Sequence, residues 1–304
     1  MKRTQLTTTA DLTRDEVDFF IKEAESLRDK RTKDLDNVIV ASLFYEPSTR
    51  TRLSFESAVH RLGGRVITVS DASTSSMKKG ETLADTIRMV DNYADILVMR
   101  NPVFGAAAEA TKYTKKPFLN AGDGANQHPT QALLDMYTIY REMGKIDGLI
   151  IAFVGDLKFG RTVHSLIYVL TLYKIKKVLF ISPEQLKIPA EYIDMLDKAG
   201  IEYSEETDLN KNMPEIDILY MTRIQQERFE DQNEYQKLKG SYVLTPDVLR
   251  LGKPSLRVLH PLPRIDEITT NVDDMPQAAY FREAENGVYM RMALLKNLWK
   301  NYNR

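Results

Sequence analysis

The chain of 304 residues contains no cysteine, which excludes disulfides, thiolate metal ligands and a cysteine nucleophile. It also lacks an excess of either charge, since 42 Lys and Arg face 43 Asp and Glu for a net charge of −1. So balanced a charge provides no overall attraction to nucleic acid or to an anionic membrane. Any cationic binding site must therefore be local.

Long apolar runs and several catalytic motifs are missing as well. No apolar run approaches the roughly 18 residues that cross a bilayer, and the N-terminus reads Met-Lys-Arg-Thr-Gln-Leu, without the apolar core of a signal peptide. We therefore expect a cytoplasmic protein with no membrane contact. The sequence has no His-Glu-x-x-His zinc motif, no serine nucleophile elbow and no Gly-x-Gly-x-x-Gly loop. We expect neither a metal nor a cofactor.

The remaining pattern is typical of an α/β protein. Thr13 and Glu16 match a capping box before a first amphipathic helix, and short apolar runs then alternate with helical periodicity, as in parallel sheets. Strands are predicted at 38–44, 65–69, 95–99, 118–119, 149–154, 177–182, 217–221 and 256–260, with a long helix at 130–143. We predict two consecutive parallel-sheet α/β domains with the active site in the cleft between them. Their predicted limits are 1–130 and 131–285, and a C-terminal helix over 286–304 returns to the first domain.

An anion site is predicted where the first of these strands ends. After Pro47 the chain reads Ser48-Thr49-Arg50-Thr51-Arg52 at a predicted helix start. A helix N-terminus carries unpaired N–H donors and partial positive charge, which suit a phosphate. One capping bond needs a single hydroxyl. The surplus of hydroxyls and guanidinium groups therefore favours a phosphate site over a simple cap beside solvated arginines.

Other polar residues follow the later predicted strands. Ligands of open α/β sheets bind beyond the carboxyl ends of the strands. The residues found there are Arg100, His128, Gln131, Arg161, Arg223, Gln225 and Arg264. Each one alone would more often be structural or solvated. Together they predict a pocket for substrates with several negative charges, phosphate on one side and carboxylates on the other.

The segment 155–162 offers an alternative interpretation. It follows a strand, precedes a helix and matches the spacing of a phosphate-binding P-loop, except that Arg161 replaces the lysine. A planar guanidinium does not readily replace the compact ammonium group. We therefore interpret Arg161 as a fork for a carboxylate or phosphate rather than as part of a nucleotide triphosphatase.

Three motifs carry a family resemblance. Residues 44–52, the His-Pro-Thr-Gln sequence at 128–131 and the His-Pro-Leu-Pro-Arg sequence at 260–264 resemble, in order and spacing, the aspartate/ornithine carbamoyltransferase family. The resemblance runs from about Leu6 to the C-terminus. Residues 78–82 and 221–225 resemble its aspartate-specific branch, and Pro261 stands where the ornithine enzymes have cysteine. The charges of Arg161 and Arg223 would also repel ornithine and suit the carboxylates of aspartate.

The resemblance implies transfer of a carbamoyl group from carbamoyl phosphate to L-aspartate through a tetrahedral intermediate, in pyrimidine biosynthesis. In this interpretation the first domain binds carbamoyl phosphate and the second binds aspartate. The implied carbamoyl phosphate residues are Ser48, Thr49, Arg50, Thr51, Arg100, His128, Gln131, Leu262 and Pro263, with Ser75 and Lys79 from a neighbouring subunit. Of these, Arg50, Thr51, Arg100 and His128 would be catalytic. The implied aspartate residues are Lys79, Arg161, Arg223 and Gln225, and the implied domain-closure residues are Glu46, Arg161 and Arg228.

The resemblance also implies a homotrimer without a cofactor, and it leaves open whether separate regulatory chains bind. Two other functions stay open at this point: a carbamoyltransferase for another amine, and a catalytically silent, ligand-sensing subunit. No side chain is an unambiguous general base, so we expect the phosphate to accept the proton of the amine. Arg52 is assigned a structural role near the helix start.

Overall fold

The computed structural model describes residues 2–70, 79–226, 229 and 231–304. They belong to two compact units, one formed by Met1–Tyr137 and Ala284–Arg304 and the other by Thr138–Glu283. The chain passes from the first unit to the second within helix α5 (Pro129–Met143) and returns to the first within helix α11 (Tyr280–Tyr302).

The first unit contains a five-stranded parallel sheet in the order β1-β5-β4-β2-β3. Its strands are β1 (Gln5–Leu6), β2 (Ile39–Phe44), β3 (Arg65–Val69), β4 (Ile96–Asn101) and β5 (Phe118–Asp123). Its helices are α1 (Arg14–Leu27), α2 (Thr49–Arg61), α3 (Leu83–Asp91), α4 (Ala106–Ala110) and α5. The central strands β2 and β4 are buried almost throughout, as expected for a parallel sheet covered on both faces.

The second unit repeats this architecture with the strand order β10-β9-β6-β7-β8, again all parallel. Its strands are β6 (Ile150–Val154), β7 (Lys177–Ile181), β8 (Glu202–Glu206), β9 (Ile218–Met221) and β10 (Arg257–Leu259). Its helices are α6 (Arg161–Leu170), α7 (Ala190–Ala199), α8 (Leu209–Asn212), α9 (Gln232–Leu238) and α10 (Pro246–Arg250), followed by α11.

Each unit has its own hydrophobic core between sheet and helices. In the first unit Leu43 of β2 and Leu97 of β4 pack with Ile87 of α3 and the small Ala107 of α4. In the second unit a larger cluster joins β6, β9 and β10 to helix α10. Among the residues that the structure describes, none of the helices combines the length and the apolar character needed to cross a bilayer.

The predicted fold class, two consecutive parallel-sheet α/β domains with a C-terminal helix, is confirmed. Two edge strands were not predicted: β1 has only two residues, and β8 reads Glu-Tyr-Ser-Glu-Glu without an apolar run. The last helix begins at Tyr280 rather than at the expected residue 286, because the buried aromatic ring of Tyr280 already belongs to the core of the second unit.

Candidate active site

The predicted phosphate site lies where β2 ends and α2 begins. Ser48 is the N-cap of α2, yet within this fully described first turn its side chain makes no capping hydrogen bond. Thr49 and Arg50 are exposed, whereas Thr51 is buried. No acidic residue occurs in the first turn. The N-terminus of α2 thus combines a hydroxyl that makes no capping bond, backbone N–H donors and a nearby guanidinium, which is the arrangement that an anion requires.

Arg100 lies beside this turn because of the sheet register. Its position in β4 is opposite Phe44 of β2, and the backbone N–H of Tyr45 donates to the Arg100 carbonyl at 2.9 Å. The guanidinium Nη2 donates to Oε1 of Glu46 at 3.0 Å. Since the Arg100 side chain is only 11% exposed, this ion pair fixes the guanidinium near the loop that contains Ser48.

The loop after β5 is organised around the buried carboxylate of Asp123. Its Oδ1 accepts hydrogen bonds from the backbone N–H of Gln127 at 3.1 Å and from the side chain of Asn120 at 2.9 Å. These contacts lead the chain into α5 immediately after His128, which is buried. Gln131, one turn on, donates from Nε2 to Oδ1 of buried Asp135 at 2.8 Å. Both predicted carbamoyl contacts are therefore held on rigid structure.

Gly124 brings the loops after β4 and β5 together. Its φ is +58°, and a Cβ at this position would lie 2.7 Å from the carbonyl oxygen of Pro102. Its backbone N–H donates to the carbonyl of Asn101 at 2.8 Å. Only glycine allows this close approach, so the loop with Arg100 and the loop leading to His128 are joined through backbone contacts.

Behind these loops lies a buried arginine that the sequence analysis did not single out. Arg291 of α11 donates from Nη1 to the hydroxyl of Ser54 at 2.9 Å, and its guanidinium lies 5.0 Å from the centre of the Phe55 ring. Burial lowers the pKa of Arg291 to about 9; the carboxylate of Asp135 acts against this shift and the guanidinium of Arg100 adds to it. The first unit therefore carries a further positive charge directly beneath helix α2.

Arg52 has a structural contact, in keeping with its assigned role. Its Nε lies 3.9 Å from Oε1 of Glu56, one turn further along α2. The same carboxylate accepts hydrogen bonds from the hydroxyls of Ser42 and Thr68 on neighbouring strands. Arg52 thus helps to attach α2 to the sheet.

In the second unit, two loops carry the predicted aspartate residues. Arg161 is the first residue of α6, after β6, and Arg223 follows β9; both are partly exposed. Asp156, fully buried, connects the loops: it accepts from the backbone N–H of Phe159 at 3.0 Å and from that of Gln225 at 3.4 Å. The Gln225 side chain donates in turn to the carbonyl of Phe159 at 3.2 Å. The structure therefore places these loops side by side within the unit.

Arg223 lines a small depression in the second unit. Its lining includes Tyr235, Lys239 and Tyr242 as well as the backbone around Gly155. Asp266 and Glu267 line it as well, so the depression contains side chains of both charges.

The turn after β10 contains Leu262 and Pro263, joined by a cis peptide bond, and Leu262 has a φ of 55°. Arg264, which the sequence analysis placed with the ligand-facing arginines, is bound within the unit: it forms an ion pair with Asp273 and donates to the hydroxyl of Tyr280 at 3.0 Å. Its guanidinium also lies over the Tyr280 ring at 5.3 Å. Arg264 is therefore a residue that stabilises the turn.

Three of the implied residues lie in or next to parts of the chain that the structure does not describe. Lys79 is exposed in the segment before α3. Ser75 and Arg228 lie outside the described residues. Sequence reasoning also missed Asp123 and Asp156. The two share one signal, because each follows a glycine at the end of a strand or just beyond it, where a carboxylate commonly accepts backbone N–H bonds.

Two parallel α/β units with cationic residues beyond their strand ends define a protein that binds small anionic substrates. The carbamoyl-P binding domain of aspartate/ornithine carbamoyltransferase matches residues 4–141, and the Asp/Orn binding domain of the same enzymes matches residues 147–298. The chain belongs to the aspartate/ornithine carbamoyltransferase family.

Individual relatives agree with this assignment. The aspartate carbamoyltransferase catalytic subunit of Methanocaldococcus jannaschii is 54% identical over 278 residues, 91% of this chain and 90% of the relative. A crystal structure of the M. jannaschii aspartate transcarbamoylase catalytic subunit superposes with a TM-score of 0.92 at 49% identity and covers 98% of both chains. Aspartate transcarbamoylase from Trypanosoma cruzi, solved in complex with carbamoyl phosphate and aspartate, has a TM-score of 0.91 at 41% identity, covering 96% of this chain and 95% of its own.

Proposed function

We propose that this chain transfers the carbamoyl group of carbamoyl phosphate to the amino group of L-aspartate, which gives N-carbamoyl-L-aspartate and phosphate. The observation that carries the proposal is the placement of the family motifs at the carboxyl ends of the strands in both units. The similarity to a relative solved with carbamoyl phosphate and aspartate supports the same substrates here. The product belongs to pyrimidine biosynthesis, as the family implies.

Carbamoyl phosphate binds to the first unit in this proposal. Its phosphate lies at the N-terminus of α2, where Ser48, Thr49, Arg50 and Thr51 donate to it. The carbamoyl end contacts Arg100, His128 and Gln131, and the family resemblance implies that Leu262 and Pro263 also bind this substrate. Support comes from the register that sets Arg100 beside the β2 loop, from the burial of His128 and from the hydrogen bond that holds Gln131.

Aspartate binds to the second unit. Arg161 begins α6 there, Arg223 and Gln225 follow β9, and buried Asp156 joins the segments before α6 and after β9. Two guanidinium groups match the two carboxylates of the substrate. We further propose that Glu46, Arg161 and Arg228 stabilise a closed form once both substrates are bound, so that water is expelled and the ion pairs strengthen.

The chemical step needs no covalent enzyme intermediate. The aspartate nitrogen forms a bond to the carbamoyl carbon, a tetrahedral oxyanion develops, and the bond from carbon to the phosphate oxygen breaks. The amine proton moves to the departing phosphate. Thr51, Arg100 and His128 donate to the oxyanion, and loss of one such donor costs about 10²–10³ in turnover. Arg50 stabilises the leaving phosphate, and no cofactor takes part.

The active form is proposed to be a cytoplasmic homotrimer, in which Ser75 and Lys79 of one subunit enter the site of its neighbour. The edge strand β3 and the adjacent helix α2 support an interface, because Ile67 is 40% exposed and Leu53 is 52% exposed there. Exposed apolar side chains beside an open sheet edge are typical of surfaces that another chain covers.

An amine panel tests the reaction. The purified chain with carbamoyl phosphate should give ureido product with L-aspartate and none with L-ornithine or L-asparagine. Arg223→Ala should raise the KM for aspartate by about two orders of magnitude, as the loss of a charged contact predicts. Arg250→Ala, at an exposed arginine of the same unit, serves as the matched control. Product from ornithine, or none from aspartate, would overturn the proposal.

A subunit mixing experiment tests the trimer. Arg50→Ala and Lys79→Ala each inactivate the chain if both residues act in one site. If that site is shared between subunits, chains of both variants that are unfolded and refolded together regain part of the activity, because some hybrid trimers contain an intact site. Light scattering should show a mass near three times 34.9 kDa. A monomer with full activity would contradict the shared site.

A further inference from the structure

The turn after β10 is built on a buried histidine that the mechanism above does not use. His260 directly follows β10, and its side chain is only 1% exposed. Its ring nitrogens have different partners. The backbone N–H of Leu262 donates to Nδ1 at 2.8 Å, and Nε2 lies 2.7 Å from Oε1 of Glu267.

These two contacts determine the protonation state of the ring. A backbone N–H can only donate, so Nδ1 must be the acceptor and carries no proton. In the neutral imidazole the proton then resides on Nε2, which donates to the Glu267 carboxylate. A ring protonated on both nitrogens would turn Nδ1 into a donor facing the Leu262 N–H.

Glu267 is itself held in place as an acceptor. Its Oε2 accepts from the backbone N–H of Ile265 at 3.1 Å and from that of Asp266 at 3.2 Å. Burial acts to raise the pKa of Glu267, but the hydrogen bond with His260 and the backbone N–H of Ile265 outweigh it, so the pKa lies below its ordinary value. The backbone N–H of His260 is also bound, to Oε2 of Glu283 at 2.8 Å. Both the ring and the backbone of His260 are therefore held by hydrogen bonds.

Leu262 adopts a backbone conformation that leucine does not favour. Its φ of 55° lies in the left-handed region, where the Cβ of an L-residue approaches the following carbonyl. The surrounding structure must maintain such a conformation. The hydrogen bond from the Leu262 N–H to His260 closes the turn over Pro261. It therefore acts directly on the backbone of Leu262.

We propose that His260, as the neutral tautomer protonated on Nε2, is a positioning residue that holds the Leu262–Pro263 backbone for carbamoyl phosphate. The inference rests on the proposed function, in which Leu262 and Pro263 contact this substrate. Glu267 orients the ring, and the acceptor nitrogen Nδ1 performs the positioning. His260 itself need not touch the substrate.

Two substitutions separate the two ring nitrogens. His260→Asn places an amide oxygen near the position of Nδ1, so it keeps an acceptor for the Leu262 N–H and loses the donor to Glu267. His260→Gln places an amide N–H near the position of Nε2, so it keeps that donor and loses the acceptor. We expect the KM for carbamoyl phosphate to stay within about threefold in His260→Asn and to rise about tenfold or more in His260→Gln, the size of one hydrogen bond.

The same measurements exclude a merely structural role. Melting temperatures are recorded for both variants, and the KM for aspartate is measured at saturating carbamoyl phosphate. If His260 only stabilised the fold, both variants would lower the melting temperature and the amount of active enzyme and leave the KM for carbamoyl phosphate unchanged. A larger rise in His260→Asn than in His260→Gln would overturn the proposal.

A spectroscopic measurement tests the tautomer without any assay. The chain has 4 histidines, so ¹⁵N-histidine labelling gives few signals, and comparison with His260→Asn identifies those of residue 260. We expect one unprotonated nitrogen and one N–H, with the proton on Nε2, at neutral pH. A proton on Nδ1 would contradict the proposal. Because this result does not depend on turnover, an inactive wild type would count against the proposed reaction and not against the tautomer.

Discussion

The Arg100 guanidinium forms an ion pair with the Glu46 carboxylate at 3.0 Å, within the first unit. The proposal for domain closure gives Glu46 a role toward aspartate, whereas this contact also links it to the residue proposed to bind the carbamoyl group. Because Glu46 precedes Ser48 by two residues, one carboxylate can orient both the arginine and the phosphate loop. Glu46 therefore has two proposed roles, one in domain closure and one in orienting the residues that bind carbamoyl phosphate, and experiment can distinguish them.

Glu46→Ala should weaken both substrates. Loss of the carboxylate releases a guanidinium that is 11% exposed, so we expect the affinity for carbamoyl phosphate, measured by calorimetry without aspartate, to fall about tenfold. The KM for aspartate should rise further if closure also fails. Glu109→Ala, at an exposed ion pair with Lys112 in the same unit, is the matched control. Unchanged binding of carbamoyl phosphate would leave Glu46 with the closure role alone.

Ser48→Ala and Thr13→Ala form a second pair. Thr13 closes a complete capping box on α1 with Glu16, so its loss should lower the free energy of unfolding by about 1 kcal/mol and leave the KM values unchanged. Ser48 makes no capping bond in the described first turn of α2. Its substitution should keep the stability and raise the KM for carbamoyl phosphate. A clear loss of stability in Ser48→Ala would point to a capping role instead.

The positions of the phosphate turn, His128 and the two arginines after strands could be predicted from the sequence, because each follows an apolar run that forms a buried strand. The strand β8 could not, because Glu202–Glu206 pairs at the sheet edge through its backbone and needs no apolar side chains. The hydrogen-bond partners of Asp156 and His260 could not be predicted either. These bonds join segments that come close together only in the folded loops. Single residue types do not reveal such contacts.

Gly155 and Gly200 both have a positive φ, but only Gly155 has other atoms close to the place where a side chain would begin. A Cβ on Gly155, with φ +113°, would lie 2.4 Å from the carbonyl oxygen of Thr222, whereas a Cβ on Gly200 meets nothing within 4 Å. Gly200→Ala should cost about 1–2 kcal/mol of stability, from the left-handed backbone alone, and leave kinetics unchanged. Gly155→Ala should cost more and raise the KM for aspartate, because Thr222 directly precedes Arg223. Equal effects of the two substitutions on this KM would contradict the close contact.

Acid stability provides a last test, at Glu142 in helix α5. Its carboxylate accepts from Arg282 at 2.7 Å and from Arg257 at 3.1 Å. Burial acts to raise the pKa of Glu142, but the hydrogen bonds and charges of Arg282 and Arg257 outweigh it and place the pKa below its ordinary value. A carboxylate with a lowered folded-state pKa stabilises the protein above its unfolded-state pKa of about 4.3, and this stability is lost as the pH falls through the folded-state pKa.

Glu142→Gln should therefore be less stable than the wild type near pH 7, by roughly 1 kcal/mol because the Arg282 side chain is partly exposed. The difference should shrink as the pH falls through the lowered folded-state pKa, where the wild-type carboxylate becomes protonated and loses its charge. Urea unfolding at a series of pH values measures it, and Glu184→Gln, at an exposed glutamate paired with Lys187, provides the matched control. A difference that stays constant down to acid pH would mean that packing, rather than the charge of Glu142, holds these arginines.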